Sequence, residues 1–166
     1  MTLPLNIRLA GKDDAVALTE LFHTMFAHYW GADAPSRPDV ARHISCDVLP
    51  SGCEIVIAER EGQAIGLATF AVLYPGPGLG GQLTMKDLFV LDHARDAGVG
   101  RALLTHLARI AVERGCLRLD WTGETSNPRA LAYYDALGAT RVTEKVYFRV
   151  DGDALKDWAE RDASKS

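Results

Sequence analysis

Leu88-Phe89-Val90-Leu91-Asp92-His93-Ala94-Arg95-Asp96-Ala97-Gly98-Val99-Gly100-Arg101 reads as an apolar strand that runs through a polar turn into a helix. The first turn of a helix carries backbone N–H groups with no partner inside the helix, and the positive end of the helix dipole lies there. Together they form a natural place for a diphosphate. Gly98 and Gly100 remove side chains that would hold phosphates off, and Arg95 and Arg101 can add charge-assisted contacts at the rim. From these residues alone a second reading stays open, in which the two glycines only shape a tight strand-to-helix turn. A dinucleotide fingerprint would need a further glycine where Leu103 stands, and no Gly-Lys-Ser/Thr ending marks a nucleoside triphosphate loop.

Downstream of the turn, Val99, Leu103, Leu107 and Ile110 recur at helical spacing, and Arg114-Gly115 closes that helix. Leu117 to Thr122 follows as a strand, then a helix capped by Asn127-Pro128 and ended by Gly138, a strand from Val142 to Val150, and a tail helix around Ala154 to Arg161. Upstream, Leu5 to Leu9 alternates like a short strand. The next helix buries Leu18, Leu21, Phe22, Met25 and Tyr29 and stops near Gly31, and Asp39 to Leu49 forms a second. Glu54 to Glu59 and Gln63 to Tyr74 flank a turn at Glu61-Gly62 as a hairpin. The Pro/Gly-rich connection from Pro75 to Gly81, a candidate mobile flap, leads into the strand Gln82 to Leu91. The pattern predicts an α/β fold with a mixed, mostly antiparallel sheet flanked by helices, and residues 1–166 as a single domain.

Composition agrees: 166 residues, 48% hydrophobic and 24% charged, describe an ordinary globular chain. A formal net charge of −4 argues against a nucleic-acid or membrane-surface partner. Cys46, Cys53 and Cys116 are odd in number and lack a Cys-x-x-Cys pair, and the five histidines show no ligand spacing, so no metal is expected. Neither a leader nor a membrane span is indicated, which predicts a cytoplasmic protein.

The segment Arg95-x-x-Gly98-x-Gly100, placed between a strand and a helix, resembles the Gln/Arg-x-x-Gly-x-Gly/Ala signature of the GNAT superfamily of N-acetyltransferases. Asn127-Pro128-Arg129-Ala130-Leu131-Ala132-Tyr133-Tyr134-Asp135-Ala136-Leu137-Gly138-Ala139 resembles a second motif of that family, Asn-x-x-Ala-x-x-Phe-Tyr-x-x-x-Gly-Phe. Tyr133 takes the aromatic place, Tyr134 the tyrosine place, and Ala139 replaces the final aromatic. Two motifs in the right order, about thirty residues apart, are far less accidental than one. The resemblance implies a GNAT-like fold with acyl-coenzyme A bound at the strand-to-helix turn. By it, Phe89, Val90 and Leu91 line the acyl end, and the amides of Asp96, Ala97, Gly98, Val99, Gly100 and Arg101 hold the pyrophosphate. Ala130 and Tyr133 belong to the cofactor site, Asn127 helps hold the cofactor or a water, and a backbone amide where strand Leu88 to Leu91 ends polarises the acyl oxygen.

In such a transfer an amine attacks the thioester and the departing thiolate must be protonated. Tyr134 is the candidate acid, since a phenol with pKa about 10 keeps its proton at neutral pH. An alkyl ammonium must lose a proton first, and Asp87, the only carboxylate of the strand leading to the acyl site, is the candidate base. A strand-end ion pair with Lys86 is its other reading. The nearest members in motif shape are of diamine or polyamine type, which commonly read Leu-Glu-Asp where this chain has Met85-Lys86-Asp87. A lysine there repels a polycation, so the expected acceptor is a primary amine of a small molecule. Phe22, Phe26, Tyr29 and Trp30 either line its pocket or pack in the core. A non-catalytic acyl-CoA sensor and a protein or peptide N-acetyltransferase are the alternatives, and Val146-Tyr147-Phe148 near a sheet edge suggests a homodimer.

Overall fold

In the computed structural model, which describes residues 4–161, the chain divides into two compact units, Met1–Gly123 and Glu124–Ser166. The first holds five strands, β1 (Asn6–Leu9), β2 (Glu54–Arg60), β3 (Gln63–Leu73), β4 (Gly81–Val90) and β5 (Cys116–Asp120). They form one sheet in sequence order. The short β2–β3 turn produces an antiparallel hairpin. The long connection through a helix allows β5 to lie parallel to β4, while the other neighbours are antiparallel. The predicted mixed, mostly antiparallel sheet is therefore observed.

Helices α1 (Ala15–Trp30), α2 (Arg37–His43) and α3 (Val99–Glu113) flank this sheet. Leu18, Leu21, Phe22 and Met25 of α1 and Val40 of α2 form one core with Ile55, Ile57, Leu67 and Phe89. Alternation along the strands turns Val56, Ala58, Ala68 and Phe70 to the opposite face. The four residues of α3 expected to face inward, Val99, Leu103, Leu107 and Ile110, are all buried.

Tyr29 departs from the expectation: it is 56% exposed. Pro38 is tolerated in a first turn, so α2 begins at Arg37, capped by Ser36, and continues as a π-helical turn over Ile44–Val48. The connection after β3 is folded back on itself, with Gly76 N–H donating to the Gly80 carbonyl at 2.7 Å and Gly80 N–H to the Pro77 carbonyl at 3.0 Å.

The second unit contains α4 (Pro128–Ala136) and α5 (Gly152–Glu160). The strand expected from Val142 to Val150 is not formed, and Val146, Tyr147 and Phe148 stand exposed. A strand exists through hydrogen bonds to a neighbour, and within this unit the regular elements are helices, which offer no edge to pair with. The apolar surface behind the homodimer expectation is present; the strand it was assigned to is not.

One ionic cluster ties the start of the chain together. The Arg8 guanidinium donates to Asp14 at 2.7 and 2.9 Å and to Glu59 at 2.6 and 3.1 Å, joining β1, β2 and the residue before α1. Those hydrogen bonds from Arg8 are the main reason both carboxyls ionise below their ordinary range. A depressed carboxylate contributes stability above its unfolded pKa and loses it as pH falls through its folded value. The melting temperature is therefore expected to fall between about pH 5 and pH 3, and less steeply in Arg8→Ala. Parallel acid limbs for the two proteins, measured by calorimetric melting, would contradict this.

Candidate active site

At the end of β4 the chain turns sharply. Leu91 N–H donates to the Ile65 carbonyl at 3.0 Å, Ala94 N–H to the Leu91 carbonyl at 2.8 Å, and Arg95 N–H to the Asp92 carbonyl at 3.3 Å. The backbone then takes positive φ at Asp96 (60°) and at Gly98 (76°), on either side of Ala97. Reversals of backbone hand like these turn successive N–H groups into a concavity that suits an anion. Aspartate is among the few non-glycine residues that accept the left-handed region. A Cβ on Gly98 would meet nothing within 4 Å, so glycine answers the backbone hand there and leaves the space above it open.

The first bond of α3 runs from Ala102 N–H to the Gly98 carbonyl at 3.0 Å. The amides of Val99, Gly100 and Arg101 therefore precede any acceptor inside the helix, and Gly98 supplies no side-chain cap. Arg101 borders a groove that starts at Gly98 and follows α3 past Thr105, His106 and Arg109, with Leu5 and Ile7 opposite. Arg95 does not extend to the rim as expected. Its Nε donates to the Val90 carbonyl at 3.1 Å, its Nη2 pairs with Asp92 at 2.8 Å, and its guanidinium lies 6.0 Å from the centre of the Phe89 ring. Partners so close at hand make it a brace of the turn.

The sheet opens beside this turn. Parallel pairing of β4 with β5 ends at Thr84 opposite Asp120, so from Met85 to Val90 that edge of β4 has no strand partner among the described residues. Unpaired strand-edge groups can hydrogen-bond an extended, amide-bearing arm. On the other side β3 approaches closely: a Cβ on Gly66 would stand 2.9 Å from the Phe89 carbonyl oxygen. Gly66 thus lets β3 hold the end of β4, a role with no mark in the sequence beyond one glycine in an apolar run.

Asp87 pairs with Thr69, and Phe89 with Leu67, so these four share the face covered by α1 and α2. Thr69 Oγ1 donates to Asp87 Oδ2 at 2.6 Å, and Lys86 Nζ lies 3.4 Å from the same carboxylate. Burial, and then the charge of Asp87, push the Tyr29 phenol up; the same two causes raise the Cys53 thiol. Tyr29 and Cys53 therefore feel Asp87 across this face. His28 lies 6.1 Å from Phe89, ring to ring, and Phe26 stacks on Trp30 at 4.7 Å. Phe22 is in the core, whereas Tyr29 and Trp30 stand more than half exposed.

In the second unit, Asn127 Oδ1 accepts the Ala130 N–H at 3.1 Å and so caps α4. Gly138 at φ 83° ends that helix, with Ala139 N–H returning to the Tyr134 carbonyl at 3.1 Å and Gly138 N–H to the Asp135 carbonyl at 2.9 Å. Tyr133 and Tyr134 are both half-buried, with ring centres 5.6 Å apart.

A strand left without a partner along one edge is thus followed, after a sharp turn, by a helix start with no side-chain cap. Comparison with known proteins gives the family. Residues 16–139, a span containing both motifs, match the acetyltransferase (GNAT) family, and the chain belongs to it. Among similar proteins, an uncharacterised N-acetyltransferase, YhfO, of Bacillus subtilis is 29% identical over 150 residues, covering 87% of this chain and 95% of its own. A thialysine N-epsilon-acetyltransferase of Caenorhabditis elegans is 33% identical over 85 residues, 49% of this chain and 53% of that one, so the chain spans about half that relative's length. An integron cassette protein from the mobile metagenome of V. cholerae superposes with a TM-score of 0.91 at 37% identity, over 94% of this chain and 98% of that one.

Gly98→Ala is expected to cost about 1 kcal/mol through its left-handed backbone, and Gly98→Asn less. Urea unfolding checks this, and equal losses for the two variants would show that the backbone hand is not what selects glycine.

Proposed function

We propose that this chain transfers an acetyl group from acetyl-CoA to a primary amine of a small molecule by direct attack, with residues 1–166 working as one catalytic domain. The observation that carries the reading is the uncapped start of α3 directly following a strand that is unpaired on one edge and bears Asp87 on one face. Those residues suit coenzyme A: left-handed backbone at Asp96 and Gly98 and the open space above Gly98 fit a diphosphate, and the free edge of β4 fits an amide-bearing arm.

Bound acetyl-CoA would supply the acyl group as a thioester. The amides of residues 96–101 bind the diphosphate, with Arg101 adding charge, and an amide where β4 ends donates toward the acyl oxygen. Asp87 accepts a proton from the acceptor ammonium on the face shared with α1, near Tyr29. Tyr134 holds the proton that the departing sulfur needs, while Asn127, Ala130 and Tyr133 support the cofactor.

Lys86, beside Asp87, favours an acceptor carrying a single ammonium over a polycation. The nematode relative, named for the ε-nitrogen of thialysine, is in keeping with a primary amine of a small molecule as the acceptor. Among the described residues no helix is long and apolar enough to cross a membrane.

Calorimetry with acetyl-CoA tests the first step: saturable binding is expected, and its absence refutes the assignment. A thiol-release assay over a panel of amines then finds the acceptor. Tyr134→Phe is expected to lower kcat by roughly 100-fold with the KM for acetyl-CoA little changed; an unchanged kcat removes Tyr134 from the chemistry.

A further inference from the structure

Among the described residues, the buried polar side chains are Thr19 and Thr69. Thr19 Oγ1 returns its proton to the Ala15 carbonyl at 2.7 Å, a bond within its own helix. Thr69 is engaged differently: its Oγ1 donates to Asp87 Oδ2 at 2.6 Å and accepts the Asp87 backbone N–H at 3.0 Å. A hydroxyl has one proton to give, and here it goes to Oδ2.

The sheet is built to bring these two residues together. Phe70 pairs with Met85, and in unbroken register Thr69 would face Lys86. A bulge at Lys86 instead sets Asp87 opposite Thr69 and onto the face shared with α1. The register slip replaces a cation by a carboxylate at that position; the Asp87 N–H holds the Thr69 hydroxyl, the hydroxyl holds Oδ2, and exposed Lys86 Nζ lies farther off, 3.4 Å from both carboxylate oxygens.

We propose that Thr69 is a positioning residue for the transfer reaction: by anchoring Asp87 Oδ2 it presents Oδ1 to the acceptor amine, and Oδ1 is the atom that takes the amine's proton. The step balances simply. One N–H bond of the ammonium breaks, its electron pair stays on nitrogen as the lone pair that attacks, and the proton ends on Oδ1. This inference rests on the acetyltransferase reading of the same site.

The test compares Thr69→Val, which keeps the shape and loses the hydroxyl, with Thr69→Ser, which keeps the hydroxyl, each alone and combined with Asp87→Asn. With an amine that the wild-type chain acetylates, Thr69→Val should lower kcat about tenfold or more with the KM for acetyl-CoA unchanged, and Thr69→Ser should stay within about threefold of wild type. In the Asp87→Asn background the valine should cost nothing further. Equal losses for valine and serine, or a valine loss that persists in full without the carboxylate, would overturn the proposal. A wild-type chain inert toward every amine would refute the acetyltransferase reading instead. Crystal structures of the variants still decide in that event: the Asp87 carboxylate should leave its position in Thr69→Val and keep it in Thr69→Ser, and an unmoved carboxylate in Thr69→Val would overturn the anchoring.

Discussion

A helix that begins without a cap leaves N–H groups that something must satisfy, and at the start of α3 the chain exposes such groups beneath open space. A serine or aspartate caps a helix from an extended backbone, which position 98 at φ 76° does not have. The chain instead has a left-handed glycine there and a left-handed aspartate two residues earlier, a backbone pattern that suits an anion. Several other parts of the first unit place that turn. Gly66 lets β3 clasp the end of β4, Arg95 folds back to lock the turn, and the stripe from Val99 to Ile110 seats the helix on the sheet.

The sheet supplies the second constraint. β4 follows β3 along its length but leaves β5 after Thr84, so one strand serves as a structural member on one edge and as a free ladder on the other. The bulge at Lys86 falls within the stretch where β5 has departed. Opening and bulge together put backbone groups on an edge and a carboxylate on a face within a few residues of the donor turn. An acyl donor held along the edge and an amine arriving from the face of α1 would meet there.

Much of this was legible in the residues because it is local. Helical spacing identified the buried face of α3, Asn127 and Gly138 marked the ends of α4, and glycines marked the donor turn, since caps and left-handed exits depend on neighbours in sequence. What escaped depends on register and competition between distant partners. Thr69 is one hydroxyl in an apolar run, and only the bulge on a different strand gives it a carboxylate to hold. Arg95 looked free for a ligand until the Val90 carbonyl, Asp92 and Phe89 claimed it. The run from Val142 to Val150 has the composition of a strand, yet composition cannot supply a partner.

The most direct measurement follows the backbone amides of residues 96–101 by nitrogen-15 NMR during titration with coenzyme A, and separately with pantetheine, which lacks the diphosphate. The account predicts large, saturable shifts of those amides with coenzyme A and none comparable with pantetheine. Coenzyme A that binds while leaving them undisturbed would contradict it.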